Sequence, residues 1–192
     1  MLWLVSGGSN ISLSVKIINQ IPDDLSANLT IMLADERYGE VDHQDSNQQQ
    51  LLDAGFEPGL AQIVDILQPN MSFYDTEQRF RSLTTSLFDQ ADIIIAQLGI
   101  GEDGHIAGIL PNSRAAQEET DLVVGYSSKP YERLTLSFAA LRRVDSAYVF
   151  AFGPAKLPAL NNLKSQNLSL EVQPAQILKQ INQAYVYNDL ID

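Results

Sequence analysis

The residues best suited to proton chemistry sit in "LGIGEDGHIAGILP", residues 98–111. His105 is one of only two histidines in the chain, and Asp103 stands two residues before it. An imidazole titrates near neutrality and can take a proton from water. A nearby carboxylate can hold its tautomer and stabilise the imidazolium that forms. Glycines at 99, 101, 104 and 108 frame the pair. A lone histidine also serves as a structural residue bonded to a backbone carbonyl. Its place directly after the apolar run "DIIIAQ" favours a general base. "GIGEDG" fits G-x-G-x-x-G, a weak pattern alone, and no suitably placed acid for a ribose stands out. His43, in the polar stretch "VDHQDSN", suits a turn as well as it suits a site.

Charge narrows what such a base would act on. The chain carries 24 acidic and 12 basic side chains, a net charge of −12. That excludes non-specific binding to nucleic acid or to an anionic membrane. An anionic ligand then needs a local cluster of bases. Arg37 in "DERY", Arg133 at the head of "RLTLSF" and Lys156 in "GPAK" can form one. Arginine suits bidentate binding of phosphate or carboxylate, and lysine acts as a point charge. "SGGSN", Ser6 to Asn10, sets Gly7 and Gly8 between Ser6 and Ser9, just before a helical pattern. Such a loop is a tight turn by default, but its N–H groups and the following helix can hold an anion. Asp35 and Glu36 precede Arg37, where a surface turn with a local ion pair is the plain alternative. Cysteine is absent, which removes disulfides, thiolate nucleophiles and cysteine metal sites. Two histidines and scattered acids give no zinc spacing. The residues therefore argue against a catalytic metal site.

These residues must be positioned by a scaffold, and the apolar runs define it. "LWLVS" (2–6), "LTIMLA" (29–34), "DIIIAQL" (92–98), "RLTLSF" (133–138) and "SAYVFAF" (146–152) read as buried strands. "LVVGY" (122–126) and "QAYVY" (183–187) are weaker candidates. Continuous apolar runs suit strands covered on both faces. Helical patterns lie between them. "NISLSVKIINQI" places Ile11, Val15 and Ile18 on one face. "DSNQQQLLDAG" has an Asp or Ser cap. "DTEQRFRSLTTSLFDQ" begins at Asp75 or Thr76 and aligns Phe80, Leu83 and Leu87. "GPAKLPALNNL" starts a helix that Pro158 should shorten, and "QPAQILKQIN" is a further short helix. The alternation predicts a single α/β domain, a three-layer α/β/α sandwich around a mostly parallel, Rossmann-like sheet. Ligands collect beyond the carboxyl ends of such strands. "SGGSN", "DERYGEVDHQDSN", "GIGEDGH" and "GPAK" each follow a strand, so four polar segments converge on one end.

In this order, "SGGS", "DERY…DHQDSN", "GIGEDGHIAGILP", "KPYERLTLSF" and "GPAK" resemble the 6-phosphogluconolactonase family, a branch of the glucosamine-6-phosphate deaminase superfamily. The resemblance runs from Ser6 to about Lys156. It implies hydrolysis of 6-phosphogluconolactone without metal or organic cofactor. It implies His105 as the base, Ser6, Gly7, Gly8, Ser9, Arg133 and Lys156 around the phosphate, and Arg37 over the polar end of the ligand. Gly101 joins the substrate-binding set, and Asp103 and Asp35 join His105 as catalytic candidates. The deaminase branch is the rival, with Asp35 abstracting a carbon-bound proton. Deaminases usually follow "DGHIA" with Phe-Asn-Glu, whereas this chain has Gly108, Ile109 and Leu110. A third reading is a sugar-phosphate-binding relative without turnover.

The opening "MLWLVSGGS" reads as a strand rather than a signal peptide, and no apolar run reaches membrane-span length. The expected location is the cytoplasm. Family members carry a helix and a strand before the Ser-Gly-Gly-Ser loop, and five residues stand there in this chain. That leads to two expectations. Either Trp3 is exposed and a homodimer forms at Leu2, Trp3 and Leu4, or the tail "QAYVYNDLI" folds back over them.

Overall fold

The computed structural model describes residues 1–191. The elements run β1 Leu2–Val5, α1 Ile11–Ile18, α2 Asp23–Ser26, β2 Thr30–Leu33, β3 Asp35–Arg37, α3 Asn47–Asp53, β4 Gln62–Ile63, α4 Phe73–Gln90 and β5 Ile94–Leu98. They continue with β6 Val123–Ser128, β7 Tyr131–Leu136, α5 Phe138–Leu141, β8 Ser146–Phe150, α6 Leu157–Ser165 and β9 Gln183–Tyr187. Six strands form one sheet in the order β4-β2-β1-β5-β8-β9. Every pairing in it is parallel. Parallel strands need crossovers, and the helices between them supply these. The fold is the three-layer α/β class with a Rossmann-like sheet.

Local chemistry explains where the helices begin. The Ser46 hydroxyl accepts from the Gln49 N–H and caps α3. The Ser72 hydroxyl accepts from the Asp75 N–H and caps α4, so α4 starts earlier than its Asp75 or Thr76 suggested. Thr76, Phe80, Thr84 and Phe88 recur every fourth residue on its buried face, the spacing that keeps side chains on one side of a helix. Pro158 does not shorten α6. It falls in the first helical turn, where its missing N–H costs nothing. Residues Pro174–Gln180 form a 3₁₀ segment rather than an α-helix.

The strand "RLTLSF" is not part of the main sheet. Residues 131–136 form β7, the centre of a second, antiparallel sheet in the order β3-β7-β6. Its register places Asp35 opposite Thr135, Glu36 opposite Leu134 and Arg37 opposite Arg133. One residue, Ala34, separates β2 from β3, and its carbonyl accepts from the Leu136 N–H at 2.9 Å. The chain thus passes from the large sheet into the small one right at the carboxyl end of β2.

The expectation of an exposed Trp3 is overturned. β1 lies inside the sheet, paired with β2 on one side and β5 on the other. Leu2, Leu4 and Val5 are at most 1% exposed and Trp3 is 6% exposed. The Trp3 ring packs against Phe56, 6.1 Å between centroids. A strand with both neighbours in place offers no free edge for another chain to pair with, and Leu2, Trp3 and Leu4 are buried within this chain. The tail does not cover them either. Its "QAYVY" is β9, at the far edge and separated from β1 by β5 and β8, paired with β8.

Candidate active site

The parallel register brings the segments after β1, β2, β5 and β8 to one end of the sheet, where they enclose a cavity of about 320 Å³. Ser6, Gly7, Gly8, Ser9, Asp35, Arg37, Gly101, His105, Arg133 and Lys156 all line it. Every substrate-binding residue expected from the sequence is therefore present, as are two of the three catalytic candidates. Asp103 stands behind His105, at the rim. Asn10 and Asn47 also line the cavity and were not singled out from the sequence. The signal for Asn47 was there in "DSN", directly after the capping serine, but nothing in the chain says that α3 points its first turn inward.

His105 is held from two sides. Its Nδ1 lies 2.6 Å from Asp103 Oδ1, and its backbone N–H donates to the same oxygen at 3.1 Å. A carboxylate on Nδ1 fixes the proton there and leaves the Nε2 lone pair free. The hydrogen bond from His105 holds the Asp103 carboxyl below the ordinary carboxylate range, against a smaller opposing effect of partial burial. The loop folds tightly enough that Gly101 is obligatory. A Cβ there would lie 2.0 Å from His105 Nδ1. Two bonds from the small sheet pin the far side of this loop. The Tyr126 hydroxyl donates to the Gly108 carbonyl at 2.6 Å, and the Thr135 hydroxyl donates to the Ala107 carbonyl.

Asp35 is 8% exposed. Burial pushes its carboxyl above the ordinary range, against the pull of Arg133, His105 and Arg37 and a hydrogen bond from Asn47. Glu36, on the opposite side of β3, is fully buried. Its carboxylate accepts from the N–H groups of Arg37, Asn47 and Gln48 at 2.7, 2.6 and 3.0 Å, and from the Ser46 hydroxyl at 2.9 Å. It clamps the start of α3 to β3. The plain alternative for "DERY", a surface turn with a local ion pair, does not hold, because Glu36 turns inward and caps a helix. His43 is structural: its Nε2 lies 3.0 Å from the Arg37 carbonyl.

The cavity is cationic and incompletely satisfied. Among the described residues Arg37, Arg133 and Lys156 have no carboxylate within 4 Å. Six buried side-chain polar atoms lack a partner among those residues, and four belong to this cavity: Ser6 Oγ, Arg37 Nε, Asn47 Oδ1 and Arg133 Nε. Native proteins rarely leave such atoms unpaired, so their concentration in one place points to a polar ligand. The helical run into α1 begins with a 3₁₀ turn at Gly8–Asn10 that has no side-chain cap, which leaves its first N–H groups open to an anion. Among the described residues no group of three or more His, Asp and Glu is placed to hold a metal ion. No helix among them is long and apolar enough to cross a membrane.

A parallel α/β sheet with a histidine–carboxylate pair and three cations around one polar cavity is the arrangement of an enzyme acting on a small anion. Residues 3–187 match the family described as glucosamine-6-phosphate isomerases/6-phosphogluconolactonase, and the chain belongs to that family. A 6-phosphogluconolactonase of Pseudomonas aeruginosa is 30% identical over 171 residues, covering 83% of this chain and 70% of its own. One from Helicobacter pylori strain J99 is 30% identical over 160 residues, with 77% and 66% covered. The chain thus spans roughly two thirds of the length of these curated relatives. Solved structures share the fold. A 6-phosphogluconolactonase from Shewanella baltica superposes with a TM-score of 0.79 at 23% identity, over 97% of this chain and 82% of that one. The enzyme from Trypanosoma brucei gives 0.77 at 20% identity, over 98% and 83%.

Proposed function

We propose that this chain hydrolyses 6-phosphogluconolactone to 6-phosphogluconate, as one cytoplasmic 6-phosphogluconolactonase-like domain spanning residues 1–192. The observation that carries the reading is the His105–Asp103 pair at the mouth of a cavity lined by Arg37, Arg133 and Lys156. His105 Nε2 takes a proton from water, and the oxygen attacks the lactone carbonyl. Asp103 stabilises the imidazolium. The tetrahedral oxyanion is met by Arg37 or by N–H groups of the glycine loop. The ring C–O bond then breaks, and the proton on His105 passes to the departing ring oxygen. Asp35 lines the same cavity with its carboxyl buried. The phosphate is held by the Ser6–Ser9 loop, Arg133 and Lys156.

A deaminase reading draws on Asp35, whose raised carboxyl suits abstraction of a carbon-bound proton. Against it, Gly108, Ile109 and Leu110 follow where a ring-opening glutamate would stand. The deciding experiment is a coupled assay on freshly generated 6-phosphogluconolactone, corrected for spontaneous hydrolysis, with ammonia release from glucosamine 6-phosphate measured in parallel. Lactone turnover above the spontaneous rate supports the proposal. Ammonia release without it would sink the proposal.

A further inference from the structure

Asn47 lines the cavity with its side chain pinned at one end and unpartnered at the other. It is 2% exposed. Its backbone N–H donates to Glu36 Oε1 at 2.6 Å, and its Nδ2 donates to the Asp35 carbonyl at 2.9 Å and to Asp35 Oδ2 at 3.3 Å. The Asp35 carbonyl is an acceptor only, so the amide cannot turn over without placing oxygen against oxygen. Its other end, Oδ1, is buried and has no partner among the described residues, and the residue itself lines the cavity. The amide lies against Gly7 so closely that a Cβ on that glycine would sit 2.2 Å from Oδ1. Asn47 therefore stands between the Ser6–Ser9 loop and Asp35.

A carbonyl oxygen held in place can only accept. A phosphate dianion has no proton to give, and the lactone carbonyl has none either. The group on a polyhydroxy ligand that satisfies Oδ1 is a hydroxyl. We infer that Asn47 Oδ1 accepts a hydrogen bond from one of the C2, C3 or C4 hydroxyls, those that the closed lactone also carries, and so selects for a hydroxylated chain. This rests on the proposed sugar-phosphate reading and adds a specificity residue to it. Glu36 acts on the same contact at one remove, as a positioning residue that fixes the first turn of α3.

The test uses 6-phosphogluconate and its 2-, 3- and 4-deoxy analogues, with binding measured by calorimetry on the wild type and on Asn47→Ala. A buried hydrogen bond between neutral groups corresponds to roughly a three- to tenfold change in affinity, more when the partner is left unpaired. One deoxy analogue should bind the wild type about tenfold more weakly than the parent and bind Asn47→Ala with no such penalty. The other two should lose equally on both proteins. If all three penalties survive in Asn47→Ala, the assignment is wrong. Thermal melting of Asn47→Ala checks that it folds. If it does not, the wild type still decides, because three analogues that all bind like the parent would overturn the inference. If 6-phosphogluconate itself fails to bind the wild type, it is the sugar-phosphate reading that fails, and the two failures are distinguishable.

Discussion

Arg37 and Arg133 lie directly opposite one another in the antiparallel pairing of β3 with β7. Their guanidinium carbons stand 4.9 and 5.5 Å from the centroid of the same ring, Tyr131. Like charges across a strand pair are destabilising. Here the aromatic face between them and the buried Asp35 carboxylate offset part of that repulsion. In a chain of net charge −12, this is how a local positive field is built. Two strands too far apart in sequence to interact locally are zipped so that their arginines coincide.

Loss of the base is the first expected outcome. His105→Asn keeps a polar side chain near Asp103 but has no basic nitrogen. Turnover should fall by roughly two to four orders of magnitude, with product binding within a few-fold of the wild type. Steady-state kinetics and product titration measure the two. A variant with unaltered kcat would remove His105 from the mechanism.

The cations should separate by substrate. Arg133→Ala and Lys156→Ala are expected to raise KM for the phosphorylated lactone much more than for gluconolactone without phosphate. Both side chains line the cavity and neither has a carboxylate within 4 Å among the described residues. Equal increases on the two substrates would show that these residues do not meet the phosphate.

Asp35 should cost stability where it is ionised. Its folded carboxyl lies above the ordinary value of 3.8 because burial outweighs the attraction of its neighbours. Between the ordinary value and the folded one, the folded chain binds more protons than the unfolded chain, so stability falls as pH rises through that window. Asp35→Asn should therefore melt at a higher temperature than the wild type at neutral pH. The difference should shrink as pH falls toward about 4, where the unfolded carboxyl also becomes protonated. Melting curves across pH report it. A pH-independent loss of stability would mean that the carboxylate is a net stabiliser.

Glu36 should behave in the opposite sense when deleted. Glu36→Ala leaves three buried or half-buried N–H groups and the Ser46 hydroxyl without their acceptor. Each unpaired buried donor costs about 1–3 kcal/mol. Denaturant unfolding should show a loss of at least about 2 kcal/mol, with amide exchange accelerated first in residues 46–53. Wild-type stability in this variant would show that solvent replaces the clamp.

The strands of the parallel sheet, apart from the two-residue β4, are legible because they are short apolar runs separated by helical periods. Four of their ends announced a ligand site through glycines, hydroxyls and charges. His105, Arg37, Arg133 and Lys156 could be named for the same reason, since their chemistry is carried by residue type and by position after a strand. What the chain could not reveal was pairing between distant segments. "RLTLSF" has the composition of a buried parallel strand, yet it pairs with β3 and β6, because partner choice depends on which edges are free once the large sheet has assembled. Trp3 seemed uncovered only while the neighbours of β1 were unknown. Glu36 could be a surface charge by sequence, but the start of α3 supplies three donors to its carboxylate. Asn47 became a site residue by the same folding step. The local code determined the elements and the chemical inventory. Only the tertiary structure decided which polar atoms were paired off and which, like Asn47 Oδ1, were left open to a ligand, because satisfaction of a buried group is a property of all its neighbours at once.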